Sequence, residues 1–396
     1  MKIAHVITAL NVGGAETMLA KLVEHERAQG GGIDSCVISL MTPGAGGERI
    51  RASGTPLHSC GLDGILALPA ALIRLRATIA RERPDMVMAW MYHAHLAAVL
   101  GTWLRQPAIP LIWNVRHSIA DLAQEKPATR AMVHMEAFLS RLPRRIVYNS
   151  HAAAQQHERL GFSKSRTVVI PNGFDCALFR PEAGSREQLT KRLGIDPAAL
   201  IVGMAARNHP MKDAATLVEA VRQAREAGVD IHLLLSGEGM DRPAGDLAQS
   251  LQAIPPNRVT LRGHDRSVAE WVRGLDLLVL PSAWGEGFPN ILGEAMSCAI
   301  PCIATDVGDS RFIIDGTGII VPPRDPAQMA RAIMTLAELG AEGRQTLGRA
   351  ARERVREEFS MDKVGALYAT LYGAVNGTAF QQRDRSPAEI RQAQVM

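Results

Sequence analysis

The sequence predicts two α/β domains that face each other across a cleft, each built on a mainly parallel sheet with helices on both faces. Three observations predict it. Short apolar runs rich in Val and Ile alternate with stretches of helical periodicity, the mark of parallel strands buried on both faces. That alternation runs its course twice, over units of roughly 170 residues, and a chain of 396 residues exceeds what one hydrophobic core usually serves. The composition is 47% hydrophobic, 21% charged and 4% aromatic, with 35 Gly and 22 Pro, which fits a globular chain and excludes disordered, collagen-like and coiled-coil classes.

In the first unit the expected strands are residues 3–9, 33–40, 86–90, 111–115 and 145–149, with helices over 16–28 and 66–80. The opening ten residues also have the charge and apolar stretch of a signal peptide. They run on into Asn-Val-Gly-Gly without a small-residue cleavage site, so a buried first strand is expected instead. In the second unit the expected strands are 200–205, 231–236, 259–262, 277–280 and 301–304, with helices over 214–226, 268–273, 290–296 and 326–339. Residues 170–179 are turn-rich, opening with Pro171, Asn172 and Gly173, and read as the connection between the units. The chain thus divides into residues 1–173, 174–358 and 359–396, the last holding a helix near 364–374 and a polar tail.

No apolar run approaches the ~18 residues of a membrane-spanning helix, and a cytoplasmic location is expected. The five cysteines (Cys36, Cys60, Cys176, Cys298 and Cys302) are odd in number and contain no C-x-x-C pair, which argues against a disulfide framework or a zinc site. Net charge is +4 but uneven: residues 1–173 carry 19 Lys+Arg against 12 Asp+Glu. A basic first half favours phosphate-bearing ligands or anionic membrane surfaces. It lacks the dense basic clusters and interleaved aromatics of nucleic-acid binding. Arg141, Arg144 and Arg145, beside Phe138 and Leu139, are the candidates for peripheral membrane contact, and equally read as ordinary arginines flanking a helix end.

In open parallel sheets ligands bind beyond the carboxyl ends of the strands, so the turns after strands carry the chemistry. Gly13 and Gly14 follow the first strand and open a helix, where two glycines admit a ligand to the backbone and free N–H groups attract an anion. A plain tight turn explains them as well. No P-loop and no G-x-G-x-x-G occurs there. Arg207 and Lys212 flank the turn after the first strand of the second unit. They can converge on a diphosphate, Arg through paired hydrogen bonds and Lys as a mobile charge, or stand as separate surface charges.

The most informative segment runs from Pro281 to Met296. Glu286 lies in a loop after a strand and Glu294 about a turn into the next helix, whose first turn suits Pro289. Both carboxylates can face one cleft with backbone N–H groups between them, an arrangement that suits a sugar joined to a phosphate. His117, after residues 111–115, is placed to enter the cleft from the first unit or to serve as a hydrogen-bonded structural residue. His93 and His95 have a spacing that can hold a metal, but no third ligand is evident, which favours a cleft-lining or structural role.

Together these residues resemble the retaining glycosyltransferases of family 4, which have the GT-B architecture of two facing Rossmann-like domains. The resemblance covers nearly the whole chain and rests on the Glu-x7-Glu segment from Glu286 to Glu294. Further matches are Gly13-Gly14-Ala15-Glu16, Ile170-Pro171-Asn172-Gly173, Arg207 with Lys212, Ser236-Gly237-Glu238-Gly239 and Gly263-His264-Asp265. The resemblance implies that Arg207 and Lys212 bind the donor diphosphate, Glu294 the ribose and Glu286 the transferred sugar. Backbone N–H groups of Gly287, Phe288, Pro289, Asn290, Ile291 and Leu292 would contact sugar and phosphate, with Gly237 also at the donor. Gly14 would let the first domain close on the diphosphate, and His117 would sit near the anomeric carbon. Asn208-His209-Pro210 departs from the short loop that many members carry. The final helix is expected to pack back toward the first domain.

The implied donor is a nucleotide sugar, UDP ahead of GDP, with no further cofactor. The acceptor would be a sugar or lipid-linked hydroxyl, in cell-surface polysaccharide or glycolipid synthesis. Since no Asp-x-Asp occurs in the chain, compensation of the leaving diphosphate without a metal is expected. The alternatives are a nucleotide-sugar epimerase of the same architecture and a non-catalytic nucleotide-sugar-binding protein.

Overall fold

The computed structural model describes residues 1–377 except Val12, Gly31, residues 104–107 and Arg266; the expected polar tail beyond Gly377 lies outside the described residues. The first sheet contains β1 (Lys2–Ile7), β2 (Asp34–Ser39), β3 (Leu57–Ser59), β4 (Met86–Trp90), β5 (Leu111–Val115), β6 (Arg145–Tyr148) and β7 (Thr167–Val169). Its spatial order is β3-β2-β1-β4-β5-β6-β7 with every pair parallel. The second sheet contains β8 (Leu200–Ala205), β9 (Ile231–Ser236), β10 (Val259–Arg262), β11 (Leu277–Leu280), β12 (Cys302–Thr305) and β13 (Ile319–Val321). Its order is β10-β9-β8-β11-β12-β13, again all parallel.

Central strands such as β4, β5 and β11 are buried at every position, because helices cover both faces. Two core clusters lie on opposite faces of each sheet. Helix starts are set by short polar caps. Ser150 Oγ accepts from Ala153 N at 3.0 Å to open the helix His151–Arg159, and Asp325 does the same for Pro326–Glu338, where Pro326 takes the first turn.

The first strand ends at Ile7 and the second begins at Asp34, so the expected runs 3–9 and 33–40 overreach into the turns that follow or precede them. Strands β3, β7 and β13 add three-residue edges that the sequence reading omitted. The expected closing helix is longer, Met361–Asn376, and begins after Ser360 caps it. It lies against the helix Gly14–Ala28: Val364, Tyr368, Leu371 and Tyr372 join the first-domain core cluster, and Tyr372 donates to Glu26 at 3.2 Å. The connection passes from Ile170, buried in that cluster, to Phe174, buried in the second-domain core and bridged to Ser360. All five cysteines are free, and only Cys176 among them is less than fully buried.

Gly293 tests the packing behind the site. A Cβ there would overlap the ring of Phe174, which stacks on Phe288. In an open helix Gly→Ala gains up to ~1 kcal/mol; here overpacking of roughly 1–3 kcal/mol outweighs it. Gly293→Ala is therefore expected to lower the urea midpoint, and an unchanged or higher midpoint would show that the Phe174 ring yields freely.

Candidate functional site: a cleft between the two domains

Each sheet reverses its strand order once, between β1 and β4 in the first and between β8 and β11 in the second. Ligands of open parallel sheets bind at the strand ends beside such a reversal. A cavity of about 460 Å³ opens there in the second domain, within the ~300–1,000 Å³ common for small-ligand sites. It gathers Arg207, Lys212, Gly237, Glu286, Phe288, Pro289, Asn290, Ile291 and Glu294 from the sequence reading. Ser236, Glu238, His264, Asp265, Val268 and Trp271 complete most of its wall.

Lys212 ends a short 3-10 turn, Pro210–Lys212, and the helix Ala214–Glu226 starts only after Asp213. The lysine thus precedes that helix rather than opening it. Its Nζ donates to Glu286 Oε1 at 2.5 Å, and Ser282 Oγ donates to the same oxygen at 2.5 Å. Glu286 is buried, whereas Arg207 is exposed at the rim. Gly237 has φ 150° and a Cβ on it would strike the Ala206 carbonyl, so only glycine lets these two strand-end loops meet.

Glu294 projects from the helix Asn290–Ser297, which has no side-chain cap. Burial pushes its carboxyl pKa up, and the charge of Lys21 opposes this from the first-domain helix Gly14–Ala28. Burial lowers the pKa of Lys21 in turn, and its ammonium donates to the Gly173 carbonyl at 3.3 Å. The expected run of backbone donors is shorter than its six residues. Pro289 has no N–H, and that of Leu292 is directed to the Pro289 carbonyl at 3.3 Å. The Leu292 side chain is fully buried in the core and does not line the cavity. Of the remaining four, Phe288, Asn290 and Ile291 line the cavity and Gly287 does not.

Gly13, Gly14 and His117 stand on the first domain, outside this cavity. Gly13 caps the helix Gly14–Ala28 without a side chain, and a Cβ on Gly14 would meet no protein atom within 4 Å. Gly287 marks the close approach of the domains: a Cβ there would lie 3.3 Å from Ser150 Oγ and 3.5 Å from Ser118 Cβ. His117, next to Ser118, has Nδ1 3.3 Å from the Tyr92 hydroxyl and Nε2 3.3 Å from Glu125 Oε1. Burial lowers its pKa, and the Glu125 carboxylate partly offsets that. The pair His93 and His95 is not a ligand pair. His95 is fully buried, bonded to Glu136 at 2.9 Å and stacked on Trp113, while His93 is exposed.

The chain matches the family model described as Glycosyltransferase Family 4 over residues 12–178 and that described as Glycosyl transferases group 1 over residues 197–338. It is 30% identical over 315 residues to the D-inositol 3-phosphate glycosyltransferase of Streptomyces bingchenggensis, covering 74% of this chain and 68% of that one. The enzyme of the same name from Geodermatophilus obscurus is 29% identical over 382 residues, covering 88% and 80%. The chain belongs to the family 4 glycosyltransferases. Solved structures agree on the GT-B fold: HepE of Anabaena in complex with UDP superposes with a TM-score of 0.81 at 21% identity, covering 94% of this chain and 100% of that one. Sucrose-phosphate synthase from Thermosynechococcus elongatus gives 0.73 at 22%, covering 95% and 99%.

Residues that the sequence did not single out make the contacts around the cleft. Asp309 accepts from His151 N at 2.7 Å and Ala152 N at 2.9 Å, so a second-domain carboxylate caps a first-domain helix. Arg116 bonds both Asn172 and Tyr368, and Asn172 donates to Asn290 Oδ1 at 2.6 Å. Tyr92 and His157 stand behind His117, with Tyr92 Oη 2.8 Å from His157 Nε2. Only Asn172, inside the matched Ile-Pro-Asn-Gly, carried any signal.

His157 supplies a test of this buried layer. It is fully buried, and burial pushes its pKa down from 6.5 to about 4. The unfolded chain takes up the proton near its ordinary pKa and the folded chain only near the lowered one, so stability is lost as pH falls through that window. Urea denaturation should show roughly 2 kcal/mol less stability from this group at pH 5 than at pH 7. The variant His157→Gln should flatten that pH dependence; identical slopes in both proteins would show that His157 is not the group responsible.

Proposed function

We propose that the enzyme moves a sugar from a nucleoside-diphosphate sugar to an acceptor hydroxyl with retention at the anomeric carbon. The observation that carries this is the placement of Arg207, Lys212, Glu286, Glu294 and an uncapped helix start in one cavity. Cations and backbone N–H groups suit a diphosphate, and carboxylates suit hydroxyls. HepE has been solved with UDP and with UDP-glucose, which supports UDP ahead of GDP for this chain.

On this reading Arg207 and Lys212 hold the diphosphate, Glu294 the ribose and Glu286 the transferred sugar. Gly13 and Gly14 bring the uncapped first-domain helix to the diphosphate, and His117 faces the anomeric carbon. The leaving diphosphate gains negative charge as the glycosidic bond breaks, and the two cations with the helix start compensate it. Among the described residues no group of three or more His, Cys, Asp and Glu is placed to hold a metal ion. Metal independence is part of this reading because no Asp-x-Asp occurs in the sequence and the two cations with the helix start compensate the leaving diphosphate.

Arg207→Ala and Lys212→Ala are each expected to weaken nucleoside-diphosphate binding by roughly 1.5–3 kcal/mol. They should differ in stability. Arg207 is exposed and its loss should leave the melting temperature unchanged, whereas loss of Lys212 strands the buried Glu286 charge and lowers it. Calorimetry and transfer assays run in excess EDTA check both points. Unchanged affinity in a folded double variant removes the clamp, and activity lost to EDTA and restored by manganese removes metal independence. A glycosylated product distinguishes transfer from epimerisation of the donor, and either from binding alone.

The acceptor we propose is a cell-surface polysaccharide or glycolipid precursor, met by the basic first domain on the cytoplasmic side of a membrane. Among the described residues no helix is long and apolar enough to cross a membrane. The helix Pro127–Leu139 ends with Phe138 85% exposed, followed by Leu142 at 52% between exposed Arg141 and Arg144. Arg145 belongs to this patch less than expected: it is half-buried on β6 and donates to the Arg144 carbonyl at 2.9 Å. Co-sedimentation should show pelleting with anionic vesicles at low salt, reversed by high salt and by Arg141→Glu with Arg144→Glu. Equal pelleting with neutral vesicles, or none with either, argues for a soluble acceptor.

A further inference from the structure

His117 is the end of a chain of hydrogen bonds whose polarity can be worked out from its far end. His157 Nδ1 lies 2.8 Å from the Ala153 carbonyl, one turn back on the helix His151–Arg159. A carbonyl only accepts, so Nδ1 carries a proton. His157 is fully buried against Phe162 and Tyr148, and the charged groups acting on it, His117 and His95, are both bases. A second proton on Nε2 would place a cation there without a counter-charge, and burial holds the pKa near 4. At neutral pH Nε2 therefore accepts, and the Tyr92 hydroxyl, 2.8 Å away, must donate to it. With its one proton committed, the Tyr92 oxygen can only accept from His117 Nδ1 at 3.3 Å.

We propose that Tyr92 and His157 are positioning residues that fix His117 with its proton on Nδ1, so that Nε2 is the nitrogen presented to the substrate. This rests on the reading of His117 as the cleft-facing residue of the transfer reaction. The chain is built into the scaffold. Tyr92 follows β4 at the strand reversal of the first sheet, His117 follows the neighbouring β5, and His157 belongs to the helix after β6. Tyr92 is 5% exposed and His157 is fully buried, while a third of the His117 side chain remains open. Nε2 points to Glu125, whose side chain is likewise partly open. Gain and loss of a proton at His117 are thereby confined to Nε2, where the substrate and Glu125 compete for it. The titratable groups around the pair are Glu125 beside His117, with His95, Glu136 and Tyr148 acting on Tyr92 and His157 from the helices and strand packed behind them.

Long-range proton–nitrogen NMR of the full chain labelled on histidine nitrogen reads the tautomers directly. The His117 signals are assigned by their loss in His117→Gln. In the ligand-free wild type at pH 8, both His117 and His157 should show a protonated Nδ1; Nε2 should be bare in His157, while in His117 it is the nitrogen that titrates against Glu125. Tyr92→Phe, which keeps the ring and removes the hydroxyl, should move His117 toward the Nε2-protonated form. It should lower kcat about tenfold or more while changing the donor KM less than twofold. The limb of the kcat–pH profile governed by His117 should move to lower pH, because the imidazolium loses its acceptor at Nδ1. A wild-type His117 with a bare Nδ1 overturns the proposal, and that spectrum needs no variant to fold. So does a folded Tyr92→Phe with wild-type tautomer and kcat. If the chain transfers no sugar at all, the functional reading fails while the tautomer spectra still decide the chain of bonds.

Discussion

The contact on which the site depends is the pair of Lys212 and Glu286. A carboxylate buried to this depth is costly unless a charge and a hydrogen bond meet it, and here Lys212 and Ser282 meet the same oxygen. The sheet makes the meeting possible. Lys212 follows β8 and Glu286 follows β11, strands that pair in the sheet although their starts, Leu200 and Leu277, lie far apart in the sequence. In the ligand-free protein the two groups neutralise each other. A donor that brings a diphosphate to Lys212 and hydroxyls to Glu286 offers each a new partner, so on the proposed reading it is recognised by exchange rather than by filling vacant charges.

The same loop ties the second domain to the first. The Asp309 amide donates to the Gly287 carbonyl at 2.9 Å, while its carboxylate caps the helix His151–Arg159. Gly308 makes this turn with φ 62°, and a Cβ on it would strike the Glu286 and Gly287 carbonyls. On the other side of the cleft Asn172 joins Arg116 to Asn290, and Arg116 is held in place by Tyr368 of the final helix and by the face of Trp90. The two domains are thus joined through polar contacts at the base of the helix that carries Glu294. Polar contacts of this kind fix an orientation, and polar interfaces between domains generally still allow relative motion.

Much of this architecture was legible in the chain, and the exceptions have physical causes. Strands 200–205, 231–236, 259–262 and 277–280 coincide with the structure because continuous apolar runs bounded by turns leave few alternatives. Strands β3, β7 and β13 were missed because three half-buried residues carry no period. The helix Tyr92–Thr102 was missed for the opposite reason: it is buried nearly all round, so no polar face marks it as a helix. At the site, local segments spoke clearly, and Glu286 and Glu294 do share a wall. Contacts between distant segments were silent. Lys21 opposite Glu294, Asp309 on the helix at His151 and Tyr92 behind His117 each depend on the packing of elements far apart in sequence.

The division of labour between the domains bears on when charge is compensated. Arg207, exposed at the rim, is free to meet a donor in solution, whereas Lys212 is engaged until one arrives. On the proposed reading the uncapped helix at Gly14 and the imidazole of His117, which belong to the other domain, meet the same ligand from the opposite wall. Under the proposed reaction, binding therefore needs the second domain alone, while stabilisation of the leaving group needs both. Interactions made only in the closed, charge-separating state favour the transition state over the bound donor. The contacts at Gly287, Asp309 and Asn172 then matter to the rate through the orientation they hold, although none of them is required to touch the sugar.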